Sequence, residues 1–303
     1  MAPRHLLSIT DLSSEETANL VSRAHALKCG ATSRALTGKN VAMLFEKPSL
    51  RTRVSFDVAV HQIGGHAIYL GRDEVGLGGR EAVSDVAKVL SRYVDAIVAR
   101  TNSHQTLEDL AGYGTVPVIN ALSDVEHPCQ ALGDLLTISE HKGSLAGLTI
   151  AFIGDGNNVA ASLALGAASV GAHFVIASPS GYGLDASLVE QAGRGAARTG
   201  GTLRQVTTPR DAVQGVEVVY TDVWVSMGQE SEREQRLRDF QGYQVDDKLM
   251  DLAGPGAIFM HPLPAHHGEE VSQGMVDHAQ SVVFDQAENR LHAQKAALEL
   301  IIA

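Results

Sequence analysis

The chain has 303 residues, a formal net charge of −11 and 44% hydrophobic side chains, which is enough apolar material for two domains. Its basic residues are scattered, which argues against nucleic-acid binding because neutralising phosphates requires clustered Lys and Arg. No apolar run approaches the about 20 residues of a membrane span. Two cysteines, Cys29 and Cys129, are too few for a disulfide framework and lack metal-ligand spacing. We therefore expect a cytoplasmic protein without bound metal that binds neither membranes nor nucleic acid.

Apolar, β-branched runs recur along the chain with helical segments between them. These runs cover residues 41–45, 66–70, 96–100, 148–154, 173–178, 218–221, 257–261 and 281–285. The alternation predicts an α/β fold with two parallel-sheet domains. A helix over 128–143 separates the two groups of strands, so we place the domain crossing there. The expected domains are 1–135 together with 286–303, and 136–285, with the C-terminal helix packing back on the first domain.

The segment SLRTR, Ser49–Arg53, follows a predicted strand and precedes an amphipathic helix, so its backbone amides are expected at a helix N-terminus. Such amides bind phosphate. Ser49 and Thr52 add hydroxyl donors, and Arg51 and Arg53 add guanidinium groups suited to phosphate oxygens. The alternative is a simple helix cap with solvated arginines, and the segment alone does not decide between the two.

Two further candidates lie in the first half of the chain. Arg100 ends a predicted strand, where open α/β sheets place their ligands, although it could equally be a surface arginine. The segment HPCQ opens the next helix, with Pro128 at a position that loses no helical hydrogen bond. His127 and Gln130 can therefore face the same site, whereas an isolated histidine is more often structural.

The second half contains a strand, a Gly-containing turn and a helix over 152–166, which alone could indicate a dinucleotide site. The G-x-G-x-x-G pattern is incomplete, and the next strand does not end in an acid for ribose, so this interpretation is weak. Asp222 ends a later strand and can project a carboxylate into a site, or it can cap a turn. The charged stretch over 225–248 has a weak core pattern and predicts a lid.

The segment HPLPA, His261–Ala265, follows the last strand of that series. Two prolines flank Leu263, which predicts an extended backbone whose carbonyls are not used in a helix ladder. Such carbonyls can accept hydrogen bonds from an NH2 group.

With SLRTR, HPCQ, DVWVSMG and HPLPA in this order, the chain resembles the aspartate/ornithine carbamoyltransferase family along essentially its whole length, and its ornithine members most closely. The resemblance implies carbamoyl transfer from carbamoyl phosphate to L-ornithine in arginine metabolism, without a cofactor, by a homotrimer or a multiple of trimers. It assigns carbamoyl phosphate to Ser49, Leu50, Arg51, Thr52, Arg100, His127, Gln130, Pro262, Leu263 and Arg290. It assigns ornithine to Asn158, Asp222, Ser226 and Met227. Arg51, Arg100, His127 and Arg290 are the implied catalytic residues, which stabilise developing negative charge.

The sequence departs from the family pattern at several positions. Leu50 stands where the family usually has Thr, and Pro262 stands where ornithine enzymes commonly have Cys. The family often has a glutamine in the loop before the helix that starts near Val86, and residues 73–81 of this chain contain none. Ala265 stands where aspartate enzymes carry Arg, which favours ornithine over a dicarboxylate. Putrescine or N-acetylornithine as acceptor, and a noncatalytic binding relative, remain alternatives.

Overall fold

The computed structural model describes residues 3–77, 79–226 and 228–302. Backbone contacts divide the chain into two compact units. The first unit runs to Leu136 and resumes at Glu288, and the second spans Thr137–Ala287. Both boundaries fall inside helices, within α6 (Pro128–Lys142) and α12 (Val283–Ile302).

Among the described residues, the first unit contains a four-stranded parallel sheet made of β1 (Asn40–Phe45), β2 (His66–Gly71), β3 (Ala96–Arg100) and β4 (Val118–Leu122). The strand order is β2-β1-β3-β4. The helices of this unit, besides its portions of α6 and α12, are α1 (Ser14–Lys28), α2 (Leu50–Gln62), α3 (Arg72–Val75), α4 (Val83–Leu90) and α5 (His104–Tyr113). A short 3-10 helix covers Ile9–Asp11.

The second unit contains, within the described chain, a five-stranded parallel sheet made of β5 (Thr149–Ile153), β6 (His173–Ala177), β7 (Thr202–Val206), β8 (Val218–Thr221) and β9 (Ile258–Met260). The strand order is β7-β6-β5-β8-β9. Its helices are α7 (Asn158–Val170), α8 (Ala186–Thr199), α9 (Pro209–Val213), α10 (Arg233–Asp239) and α11 (Asp247–Ala253), with 3-10 helices at Glu230–Glu232 and Met275–Asp277.

The interiors of the central strands are apolar because both faces of each sheet are covered. In β5, Ala151 and Ile153 pack in one hydrophobic cluster, whereas Ile150 and Phe152 pack in another. Alternate side chains of a strand point to opposite faces of the sheet. The sequence of a strand buried on both faces is therefore a continuous run of apolar residues. This burial explains why the central strands could be recognised from sequence. No helix of the described residues has the length and hydropathy needed to cross a membrane.

The predicted α/β class with two parallel-sheet domains is confirmed. The C-terminal part of α12 packs within the first unit, where Glu299 accepts a hydrogen bond from Arg23 at 2.7 Å and Lys295 donates to Gln62 at 3.0 Å. A capping box begins α1: the Ser13 side chain accepts a hydrogen bond from the Glu16 amide, and the Glu16 side chain accepts one from the Ser13 amide.

Two edge strands were missed. In β7, three of the five residues are exposed, because the strand lies at the edge of its sheet and lacks a fully apolar pattern. In β4, the apolar pattern is interrupted by Asn120, which is buried and donates to the Leu7 carbonyl at 2.8 Å.

The predicted strand over 281–285 is wrong. Ser281 forms only an isolated bridge with Phe259, and α12 begins two residues later at Val283. Val282 and Val283 are buried at the start of this helix, so their apolar character reflects packing and not strand formation. A short apolar run has the same pattern in either structure.

Candidate active site

The SLRTR segment forms the N-terminus of α2, as its sequence predicts. Ser49 is the N-cap residue, and its Oγ accepts a hydrogen bond from the Thr52 amide at 3.3 Å. Leu50, which stands where the family usually has Thr, is 76% exposed. Its side chain therefore offers no hydroxyl at this position and is not buried in the core. The backbone amides of the first helical turn remain suited to an anion, because they have no partners within the helix.

Three arginines lie close enough to affect one another in the first unit. Burial lowers the pKa of Arg100 to about 10, and repulsion from Arg51 contributes. Burial likewise lowers the pKa of Arg290 to about 10, and the charges of Arg100 and Arg51 act in the same direction. Positive charges that repel one another in a buried site favour binding of an anion that compensates them. The cluster of Arg51, Arg100 and Arg290, which we call the arginine cluster, is therefore suited to bind an anion.

Hydrogen bonds orient Arg290 within this cluster. Its Nη1 donates to Gln130 Oε1 at 3.1 Å, and its Nη2 donates to Thr52 Oγ1. Gln130 in turn donates through Nε2 to Asp134 Oδ1 at 2.8 Å. The sequence interpretation missed Asp134, although its spacing of four residues from Gln130 on α6 places both on one helical face. The hydrogen bond to Asp134 thus orients the Gln130 side-chain amide so that Gln130 Oε1 faces Arg290.

His127 is buried beside the arginine cluster, with 4% of its surface exposed. Burial lowers its pKa well below the ordinary value of 6.5, and the charges of Arg290 and Arg100 lower it further. The imidazole is therefore neutral at pH 7 in the free protein. A neutral imidazole can donate one hydrogen bond to a carbonyl or phosphate oxygen.

Gly133 allows α6 to pack closely on the backbone that carries Arg290. A Cβ atom added at this position would lie 3.1 Å from Arg290 Cα and 3.3 Å from its backbone nitrogen. We expect Gly133→Ala to reduce the free energy of unfolding by about 1–3 kcal/mol, because main-chain atoms cannot move aside as a flexible side chain can. Urea denaturation measures this change.

The matched control for this substitution is Gly112→Ala in α5, where an added Cβ meets no atom within 4 Å. Alanine has the higher helix propensity, so we expect this variant to be unchanged or up to about 1 kcal/mol more stable. A Gly133→Ala variant as stable as Gly112→Ala would contradict the close packing at Arg290.

Asp222 is a buried acid of the second unit, and it directly follows β8. Its Oδ2 accepts from Asn157 Nδ2 at 2.8 Å, and its Oδ1 accepts from the Val223 amide at 2.8 Å. Burial raises the pKa of the Asp222 carboxyl, whereas the nearby His261 and these two hydrogen bonds lower it. The carboxylate is thus oriented and mostly desolvated, which suits it to bind an ammonium group.

Asn157 is the residue that orients Asp222, and the sequence interpretation missed this role. It caps α7 by accepting hydrogen bonds at Oδ1 from the Val159 and Ala160 amides at 3.0 and 3.1 Å. With Oδ1 engaged by the helix, its Nδ2 group is directed at Asp222. The available signal was an Asn immediately before a helix, which is a preferred N-cap residue. Asn158, the predicted ornithine contact, is the first residue of α7.

The segment over 225–248 is more strongly packed than its charged sequence suggested. Phe240 is fully buried, and its ring stacks on Trp224 with centroids 5.6 Å apart. Arg236 is 7% exposed and pairs with Asp155 at 2.8 Å. Its Nη1 also donates to the Trp224 carbonyl at 3.1 Å. The expectation of a weak core was wrong for α10 and the residues after it, because alternating charges concealed the buried Arg236 and two buried aromatic rings, Phe240 and Tyr243.

The HPLPA segment is irregular, and the predicted extended backbone is wrong at Leu263. This residue has φ +56°, and its peptide bond to Pro264 is cis. The Leu263 amide donates to His261 Nδ1 at 2.9 Å, and His261 Nε2 bonds to Glu270 Oε1 at 3.1 Å. A nitrogen that accepts from an amide carries no proton, so Nε2 is the protonated nitrogen of this imidazole. The His261 side chain therefore determines the direction of the Leu263 backbone.

The structure groups the predicted residues within each unit. Ser49, Leu50, Arg51, Thr52, Arg100, His127, Gln130 and Arg290 lie in the first unit, and Asn158, Asp222, Ser226, Pro262 and Leu263 lie in the second. Ser226 is partly buried, and its amide donates to Gln229 Oε1 at 3.0 Å. Met227 lies outside the described residues.

Two family models match the chain. Residues 4–140 match "Aspartate/ornithine carbamoyltransferase, carbamoyl-P binding domain", and residues 146–301 match "Aspartate/ornithine carbamoyltransferase, Asp/Orn binding domain". The anabolic ornithine carbamoyltransferase of Pyrococcus furiosus is 49% identical over 100% of this chain and 97% of its own length. The ornithine carbamoyltransferase of Hyperthermus butylicus is 53% identical, covering 99% of this chain and 98% of the relative. The solved P. furiosus structure superposes with a TM-score of 0.95 at 50% identity, covering 99% of this chain and 97% of that one.

Proposed function

Because the chain belongs to the aspartate/ornithine carbamoyltransferase family, we propose that it transfers the carbamoyl group of carbamoyl phosphate to the δ-amino group of L-ornithine. The products are L-citrulline and phosphate, in arginine metabolism. The observation that carries this proposal is the arginine cluster, whose buried, mutually repelling charges favour a bound anion. About 50% identity with relatives named ornithine carbamoyltransferase supports the choice of acceptor.

The first unit, in this proposal, binds carbamoyl phosphate. The phosphate lies against Ser49, the backbone of Leu50, and the side chains of Arg51 and Thr52, at the N-terminus of α2. Arg100, His127, Gln130 and Arg290 contact the carbamoyl group or the bridging oxygens. Arg290 is oriented for this role by its bonds to Thr52 and Gln130, so its guanidinium group does not need to reorganise when substrate binds.

The second unit binds ornithine in this proposal. Asp222 accepts the α-ammonium group, because its carboxylate is buried and already oriented by Asn157. Asn158, Ser226 and Met227 complete the amino-acid site. The backbone at Pro262 and Leu263 receives the carbamoyl NH2 group through carbonyl oxygens outside any helix or strand.

The reaction is direct attack of the ornithine δ-nitrogen on the carbamoyl carbon. A C–N bond forms, the tetrahedral intermediate expels phosphate as the C–O bond breaks, and the nitrogen loses a proton. Arg51, Arg100, His127 and Arg290 stabilise the negative charge that develops on the carbonyl and phosphate oxygens. Holding both substrates in reacting geometry supplies the rest of the rate enhancement.

We further infer that the protein acts in the cytoplasm as a homotrimer or a multiple of trimers. Family membership supports the assembly. The small number of cysteines supports a reducing compartment.

A direct test incubates the purified chain with carbamoyl phosphate and, separately, L-ornithine, N-acetylornithine, putrescine and L-aspartate. We expect L-ornithine to be preferred by on the order of a hundredfold or more in kcat/KM, because a polar site rejects substrates that leave its groups unpaired. Putrescine leaves the carboxylate-binding groups unused, and acetylation removes the α-ammonium charge that would pair with Asp222. Product with only another amine would overturn the acceptor, and no product with any amine would overturn carbamoyl transfer.

A further inference from the structure

A tight turn directly after HPLPA brings three potential metal ligands together. The Glu269 amide donates to the His266 carbonyl at 3.0 Å, and Gly268 adopts φ +92°, which glycine accommodates without a Cβ clash. The turn places the side chains of His266, Glu269 and Glu270 on one side. Their ligand atoms all lie within 4.8 Å of one another. We call these three residues the turn cluster.

Two buried polar atoms in the turn cluster have no hydrogen-bond partner among the described residues. Glu270 is fully buried, and its Oε1 accepts from His261 Nε2 at 3.1 Å and from the His266 amide at 2.6 Å. Its Oε2 is the atom without a partner, as is His266 Nδ1, and the two lie 3.8 Å apart. A buried polar atom without a partner is unfavourable, because it has lost its hydrogen bonds to water, so this pair favours a ligand that both atoms can contact.

The third member can contact the same ligand. Glu269 Oε2 lies 3.8 Å from His266 Nδ1, the same separation as Glu270 Oε2. Two ligand atoms that each lie about 2.1 Å from a tetrahedral ion are about 3.4 Å apart, so the two separations from His266 need to close by a few tenths of an ångström. Arg233 donates to both oxygens of Glu269, to Oε1 through Nη2 and to Oε2 through Nη1 at 3.3 Å. The bond to Oε2 is the longer of the two, so it is the one that a bound ion would replace.

We propose that His266, Glu269 and Glu270 bind a divalent transition-metal ion such as Zn²⁺ through one imidazole nitrogen and two carboxylate oxygens. The imidazole selects a transition metal over Mg²⁺ or Ca²⁺, which prefer all-oxygen sites. Two carboxylates face a single arginine, so the turn cluster with a neutral imidazole carries net negative charge. The His266 side chain is 40% exposed and that of Glu269 19%, which gives an ion access from solvent.

A bound ion would also restrain the HPLPA segment. Glu270 accepts a hydrogen bond from His261 Nε2, and His261 Nδ1 accepts one from the Leu263 amide. An ion that immobilises Glu270 therefore also restrains His261 and Leu263. Because a ligand that binds only the folded protein stabilises it, Zn²⁺ should raise the thermal midpoint of unfolding. Cysteine spacing gave no sign of this site, because its ligands are histidine and glutamate from one turn.

The test is calorimetric titration of the untagged, metal-free full chain with ZnCl2. We expect one ion per chain, and affinities about tenfold or more weaker for His266→Ala and Glu269→Gln. Neither substitution removes the backbone bond from His266 to Glu270, so the turn is retained. The matched control is His267→Ala, the adjacent exposed histidine, whose Nδ1 lies 3.4 Å from the Ser272 carbonyl. This variant should bind Zn²⁺ as the wild type does.

Thermal unfolding provides the second measurement. Added Zn²⁺ should raise the midpoint of the wild type and of His267→Ala equally, and should raise that of His266→Ala by less at the same Zn²⁺ concentration. Equal binding by His266→Ala and His267→Ala, or no Zn²⁺ binding by the wild type, would overturn the proposal. Neither measurement involves carbamoyl transfer, so the result is independent of the proposed enzymatic function.

Discussion

Replacing Asp222 with Asn is expected to lower kcat/KM for L-ornithine by on the order of a hundredfold. The substitution keeps the shape of the side chain and removes the negative charge that we assign to the α-ammonium group. A hydrogen bond to a charged partner contributes about 1.5–3 kcal/mol, and 1.4 kcal/mol corresponds to a factor of ten. Asn157 donates to Asp222 Oδ2, so an amide there also disturbs the bond that orients the side chain.

Steady-state kinetics with each substrate varied in turn measure this effect. The KM for ornithine should rise, whereas the KM for carbamoyl phosphate should stay close to that of the wild type. Asp251→Asn is the matched control, because Asp251 is an exposed residue of α11 in the same unit and the change in charge is identical. An unchanged ornithine KM in Asp222→Asn would show that the α-ammonium group binds elsewhere.

Replacing Arg290 with Lys is expected to make carbamoyl phosphate binding depend on pH. The pKa of Arg290 is lowered to about 10, first by burial and then by Arg100 and other neighbours, so the wild type keeps this charge up to pH 9. A lysine has an ordinary pKa of about 10.4, and the same burial and repulsion would lower it from there, below that of Arg290. The variant should therefore lose its positive charge, and bind carbamoyl phosphate more weakly, as the pH rises from 7 to 9.

Arg290→Lys should also lower kcat/KM for carbamoyl phosphate because of the shape of the new side chain. The guanidinium group of Arg290 donates to Gln130 and Thr52 through two separate nitrogens, which one ammonium nitrogen cannot reproduce. We expect kcat/KM for carbamoyl phosphate to fall by about a hundredfold even at pH 7, the scale of losing one preorganised donor.

Two further variants make the pH measurement decisive. Arg290→Gln carries no charge at any pH, so its loss should be independent of pH. Arg23→Lys alters an exposed arginine that pairs with Glu299. Its KM for carbamoyl phosphate should equal that of the wild type at each pH. Identical, flat pH profiles for Arg290→Lys and Arg290→Gln would argue against a role for the charge at this position.

Most of the fold could be predicted from sequence because its signals are local. The central strands β1, β3, β5 and β8 are buried on both faces, so each is an apolar run flanked by helical segments. The N-cap at Ser49 follows from a polar residue between a strand and a helix. The edge strand β7 was not predictable in this way, since a strand with one neighbour is partly exposed and loses the apolar pattern.

The sequence by itself determined the α/β class, the order of the four motifs and the identity of the candidate residues, because these depend on residue type and short spacing. The tertiary structure alone decided which of the candidate residues contact one another. Arg290 and Thr52 are 238 positions apart in the chain, and Asn157 and Asp222 are 65 apart. It also decided that His127 is neutral and that Arg236 is buried against Asp155. Such properties arise from burial and from charges distant in sequence, and packing of the whole chain sets both.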